Sequence, residues 1–151
     1  IAFAISQSNT FACAVSGSGI MNLTASYFTY EPENTRSNAW RFESQQGRMA
    51  STPFDNWESY QENSPLRYAN QITAPLFSWA GRKDFNVLWK QSTELHMALR
   101  RLGKKNLFLV YDNESHTIRT PELQKDLTIK TRNWFDYYLK GPKDAINNAM
   151  P

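Results

Sequence analysis

The chain has 151 residues, a length that suits one domain able to bury about two thirds of its unfolded surface. Apolar residues at 40%, aromatics at 14%, and only six Gly and seven Pro exclude an intrinsically disordered, collagen-like or linker chain. One cysteine, Cys13, excludes an internal disulfide framework and a multi-cysteine metal site, and a net charge of +3 from scattered cations lacks the concentrated basic face of a nucleic-acid binder.

With two histidines, no metal site is expected, and no cofactor is called for. Because residue 1 is Ile, the sequence is expected to be a fragment or a processed product. No basic segment precedes an apolar core, so no signal peptide is read. Residues 1–30 carry no charge. Polar breaks at Ser6–Thr10 and Ser16–Gly19 leave no run near the ~18 apolar residues of a membrane span, and the segment reads as buried in a larger sheet.

Ile1–Ser8 reads as the end of a helix. Phe11–Ser16 reads as a short strand, apolar without alternation, as in a parallel sheet buried on both faces. Gly17–Pro53 is polar and aromatic, with a helix near Ser37–Gln46. A short helix is expected over Asn56–Asn63, then a turn at Ser64–Pro65 and a connector over Leu66–Ile72. Pro75–Ala80 is an apolar strand and Gly81–Asn86 a loop. Leu88–Leu102 is an amphipathic helix with Leu88, Leu95, Leu99 and Leu102 on one face and Gly103 as its stop. Leu107–Tyr111 is a second apolar strand, followed by a loop over Asp112–Thr120. Thr120 as N-cap and Pro121 at the first position start a last helix to Lys140. Its expected inner face carries Leu123, Leu127, Trp134 and Tyr138. The tail from 142 to 151 is expected to be mobile. His96 falls on the polar side of its helix and is expected to be solvated. Cys13 is expected to pack as a small hydrophobe in the strand. Asn22-Leu-Thr and Asn113-Glu-Ser fit the glycosylation pattern.

Strand–helix–strand–helix alternation implies a parallel sheet with helices on its faces. Sites in such sheets lie in loops beyond the carboxyl ends of the strands. The first such loop carries Asp84 and the second His116, both on the same edge. An acid can orient an imidazole, which then serves as general base toward a hydroxyl. Asp before His on consecutive strand-end loops is also the order of an α/β-hydrolase triad. Taken alone, Asp84 reads more readily as a loop partner of Arg82 or Lys83, since exposed ion pairs are common, and His116 as a surface-loop histidine. A nucleophile elbow, Gly-x-Ser-x-Gly, does not occur. Ser18 in Gly17-Ser18-Gly19 lacks that spacing and reads as a strand-end residue. The chain is therefore expected to begin just beyond the nucleophile.

From Ile1 to Lys140 the sequence resembles the C-terminal part of the catalytic domain of the prolyl oligopeptidase family of serine peptidases. The segments that carry the resemblance are Phe11-Ala-Cys-Ala-Val-Ser-Gly-Ser-Gly, the run from Tyr60 to Phe77 and the Gly81-x-x-Asp84-x-x-Val87 loop. The Gln91–Lys104 helix and Tyr111-Asp-Asn-Glu-Ser-His116 complete the series. The resemblance implies a three-layer α/β-hydrolase-type parallel sheet flanked by helices, of which residues 1–151 form the C-terminal portion. It implies a serine-type peptidase with Asp84 and His116 as catalytic residues and a peptide as substrate. Asn86 stands where many members have Arg. The dipeptidyl peptidase branch has Asn there, which helps hold a substrate carbonyl. Tyr27 and Tyr30 fall in the region that lines the pocket with aromatics. Ala80, Thr117 and Ile118 depart from the family pattern. Without the nucleophile the chain alone is expected to be inactive. The alternatives are an esterase or acylaminoacyl hydrolase of the same fold, and an inactive hydrolase-like binding module. Relatives are often exported, which suggests a periplasmic or extracellular location. A sheet lacking further strands exposes an edge, so self-association is expected.

Overall fold

A computed structural model describes residues 1–31 and 36–141 of the chain. The tail expected from 142 to 151 lies outside the described residues. Elements in chain order are α1 (Ala2–Gln7), β1 (Ala14–Gly17), α2 (Leu23–Tyr27), β2 (Tyr30–Glu31), β3 (Arg36–Ser37), α3 (Ala39–Glu43) and α4 (Trp57–Glu62). After a 3₁₀ turn at Pro65–Tyr68 come β4 (Leu76–Gly81), α5 (Trp89–Arg101), β5 (Asn106–Tyr111) and α6 (Pro121–Lys140).

β1, β4 and β5 form a parallel sheet in the order β1-β4-β5. Its register runs from Ala14 opposite Leu76 to Gly17 opposite Trp79, and from Leu76 opposite Asn106 to Gly81 opposite Tyr111. Successive side chains of a strand point to opposite faces. Leu76 therefore joins Ala2, Ile5, Ala14, Met21, Ile72, Leu95 and Leu99 in a core beneath α1 and α5. Its neighbour Phe77 points the other way, with its ring 5.8 Å from that of Trp134 on α6. The three layers follow from that alternation in the central strand, which is buried along almost all its length.

The helix faces differ in detail from the periodicity. On α5, Leu95 and Leu99 are each 1% exposed, but Leu102 is 46% exposed because the helix has ended at Arg101 and Gly103 turns away at φ +67°. Leu88 sits at the helix start, half-buried. Only Trp134 of the expected inner face of α6 is fully buried; Leu123, Leu127 and Tyr138 are half-buried. The twenty-residue α6 covers a sheet of three strands, which leaves Leu139 and Ile129 in solvent. His96 is not solvated. It is half-buried, its ring lies 5.7 Å from that of Phe108 on β5, and burial lowers its pKa. Cys13 falls just before β1 and is half-buried, with its thiol pKa raised by burial.

The polar-aromatic stretch after β1 is more structured than its composition suggests. Asn22 caps α2 by accepting a hydrogen bond from the Ala25 N–H at 3.0 Å, and its amide donates to Glu94 at 3.2 Å. Gln91 on α5 accepts from the N–H groups of Met21 and Asn22 and ties the stretch to the core. Tyr27, Phe42 and Tyr60 form a second apolar cluster, with ring centroids 5.7 to 6.0 Å apart. Removing the Leu99 side chain by Leu99→Ala should cost about 2–5 kcal/mol of stability. A urea midpoint unchanged by that substitution would remove α5 from the core.

Candidate active site

The carboxyl ends of β4 and β5 each run into a loop, and the two loops touch. The Arg82 N–H donates to the Tyr111 carbonyl at 3.0 Å, and the Lys83 N–H to the Glu114 carbonyl at 2.9 Å. Gly81 makes this possible. A Cβ there would stand 2.1 Å from the Ser115 carbonyl oxygen and 2.4 Å from that of Glu114, so any side chain would push the second loop away.

Asp84 and His116 meet across this contact. His116 Nδ1 lies 2.8 Å from Asp84 Oδ2. The Asp84 carboxyl group is completely buried, while the imidazole is 43% exposed. The other carboxylate oxygen accepts from the Asn86 N–H at 2.8 Å and the Val87 N–H at 3.0 Å. Those two bonds stop the carboxylate from rotating. An ionised carboxylate only accepts, so the Nδ1–H must donate and the Nε2 lone pair is left free. Neither basic neighbour takes Asp84: Arg82 pairs with Asp112 at 2.5 Å, and Lys83 is exposed.

Glu114 is a residue that the sequence reading missed. It is 4% exposed, and its carboxylate accepts from the hydroxyl of Thr120 and from the N–H groups of Arg119, at 2.5 Å, and Thr120, at 3.4 Å. Thr120 caps α6 by position, but its hydroxyl is spent on Glu114. Glu114 thus closes the His loop onto the start of α6, where a negative charge is favoured. The Thr120 hydroxyl bond is the main cause of its lowered pKa, followed by the Arg119 N–H. A glutamate two residues before a histidine has no recognisable pattern; its role depends on the loop's return path.

His116 also borders a cavity of about 400 Å³, with Asn86, Val87, Ile20, Trp40 and Arg41 among its lining. Asn86, expected to touch substrate, is there. Its side-chain oxygen accepts from Arg41 at 3.2 Å. Since guanidinium has no acceptor, the amide NH₂ of Asn86 remains available. Tyr27 is packed behind this wall, 8% exposed, with its hydroxyl donating to Glu43 at 2.5 Å and its pKa pushed up to about 12 by that bond. Tyr30 is 59% exposed at the start of β2, which pairs antiparallel with β3. Ser18 adopts φ +46°, and its hydroxyl lies 3.5 Å from the His116 carbonyl oxygen, bracing the loop rather than facing the ring nitrogens. Among the described residues no cluster of three or more His, Cys, Asp or Glu could hold a metal.

An Asp and a His on consecutive strand-end loops of a parallel sheet, joined by a part-buried hydrogen bond, define an α/β-hydrolase arrangement. A match to the prolyl oligopeptidase family covers residues 1–142, and the chain belongs to that family. It is similar to the uncharacterized peptidase YuxL of Bacillus subtilis, with 32% identity over 57% of this chain and 14% of the relative. It is also similar to dipeptidyl-peptidase 4 of Giardia intestinalis, with 26% identity over 62% of this chain and 12% of the relative. Among solved structures, the acylaminoacyl peptidase of Pyrococcus horikoshii superposes with a TM-score of 0.81 at 25% identity, over 94% of this chain and 22% of that one. The chain thus spans less than a quarter of the length of each of these proteins.

A depressed carboxylate pKa adds stability above the unfolded value, and this is lost as pH falls through the folded value. Glu114→Gln should therefore lower the urea midpoint near neutral pH. Its deficit against wild type should begin to shrink as the medium is acidified below about pH 4, where the unfolded carboxylate takes up its proton, and vanish once the folded carboxylate is protonated too. A deficit that stays constant with pH would mean that the charge of Glu114 contributes nothing.

Proposed function

We propose that the chain supplies the Asp and His of a serine-peptidase triad whose serine lies outside these 151 residues. The observation that carries this reading is the 2.8 Å contact between His116 and a fully buried Asp84. Family membership supports the serine-peptidase chemistry, and the lack of a Gly-x-Ser-x-Gly elbow supports a nucleophile from elsewhere.

In this mechanism Asp84 holds the imidazole in one tautomer through Nδ1–H. The Nε2 atom takes the proton of the attacking serine hydroxyl. The imidazolium so formed faces the Asp84 charge, which stabilises it without itself taking the proton. His116 then returns the proton to the leaving amine. Asn86 presents its free amide NH₂ to a carbonyl of the bound peptide, because Arg41 occupies its oxygen. Tyr27 supports the wall from behind, and Tyr30 is not among the residues that line the cavity. In the peptidase that carries this segment, Asp84→Asn should lower kcat by about 10⁴-fold, the scale seen when the histidine loses its orienting carboxylate. Turnover of a peptide substrate at the wild-type rate would sink the assignment.

The 151-residue chain by itself is proposed to self-associate. Among the described residues β1 and β5 each pair with β4 alone, so each keeps an unpaired edge of N–H and C=O groups that invites another strand. Light scattering of the isolated chain should show dimers or larger species; a monodisperse monomer would contradict this.

A further inference from the structure

Among the described residues, the cavity beside His116 is lined by apolar and neutral polar groups and by one permanent charge, Arg41. Arg41 is half-buried on the last turn of α3. It donates through Nη1 to the Asn86 carbonyl at 3.3 Å and through Nη2 to the Asn86 side-chain oxygen at 3.2 Å. Its guanidinium also lies 5.7 Å from the centre of the Trp40 ring. Every one of these partners is neutral, and no acidic side chain pairs with it among the described residues. Two of its five N–H bonds are used, so three remain for a ligand.

The backbone around Arg41 holds it in place. The Gly47 N–H donates to the Arg41 carbonyl and the Met49 N–H to the Phe42 carbonyl, both at 2.8 Å. A Cβ on Gly47 would stand 2.7 Å from the Phe42 Cα, so the segment after α3 folds tightly under the helix only because that side chain is missing. Asn86 then anchors the guanidinium from the Asp84 loop. The cation is thereby fixed between two elements, beside the proposed general base, before any ligand arrives.

We propose that Arg41 makes this cavity a subsite for an acidic residue. The peptide residue whose carbonyl is attacked would place an aspartate or glutamate side chain against the free edge of the guanidinium. The inference rests on the peptidase reading above. The cavity is within the usual range for a small-molecule site, roughly 300–1,000 Å³, and ample for one side chain. A carboxylate leaving water needs a compensating partner, and a guanidinium offers charge-assisted bonds about twice as strong as neutral ones. A neutral isostere gains only the ordinary hydrogen bond. A lysine would meet an unpaired cation and be rejected.

The test compares two acyl-peptide anilides, identical but for Glu or Gln at the residue before the scissile bond, in the peptidase that carries this segment. The wild-type enzyme should favour Glu over Gln by about tenfold or more in kcat/KM, the usual scale of a hydrogen bond to a charged group. Arg41→Met should bring that ratio close to one. Arg41→Lys, which keeps the charge but loses the fork, should retain part of it. Raising the salt concentration should lower the wild-type ratio. A wild-type ratio near one would overturn the subsite while leaving the peptidase reading intact, and so would an Arg41→Met variant that slows both substrates equally. Turnover of neither peptide by the wild-type enzyme would overturn the peptidase reading, and the subsite with it.

Discussion

The backbone contact between the β4 and β5 loops is the constraint on which the site depends. Two parallel strands in register deliver their loops to one edge, and Gly81 lets the second loop lie directly on the first. Lys83 and Glu114 pin the crossing through main-chain atoms, so the relative position of Asp84 and His116 is set by backbone rather than by the two side chains themselves. The bond between them closes a geometry that already exists.

Buried charge is handled accordingly. A carboxylate removed from water is costly unless its oxygens are satisfied. Asp84 meets that requirement with two backbone N–H groups and an imidazole, and Glu114 with two backbone N–H groups and a hydroxyl. One carboxylate orients the histidine and the other fastens the loop that carries it. Both acids are therefore built into loops with no regular hydrogen bonding of their own, and they supply the order that strand or helix would otherwise provide. The aromatic cluster of Tyr27, Phe42 and Tyr60 plays the same part on the opposite wall, where it backs α3 and so positions Arg41.

Much of the fold was legible in the sequence. β4, α5, β5 and α6 fall within a residue or two of the apolar runs and stop signals, because a buried parallel strand and an amphipathic helix must display those patterns. The stretch after β1 was less legible. α2 is five residues long and the β2–β3 strands two each, too short for periodicity to register. The expected helix over Ser37–Gln46 is only Ala39–Glu43, because the chain turns under it at Gly47 and passes through positive φ at Arg48 and Ala50. His96 shows the limit of helical-wheel reasoning. Its polar character assigned it to solvent, but the neighbouring strand put Phe108 against it.

By itself the sequence determined the alternation of strands and helices, the edge on which Asp84 and His116 emerge, and the motifs that tie the chain to its family. These are local or periodic properties, carried by neighbouring residues. Only the tertiary structure decided that Asp84 takes His116 rather than Arg82, that Glu114 latches the loop, and that Arg41 stands at the cavity. Arg41 and Asn86 are 45 positions apart, and no spacing rule links them. The chain path brings them together, and chain path is a property of packing rather than of pattern.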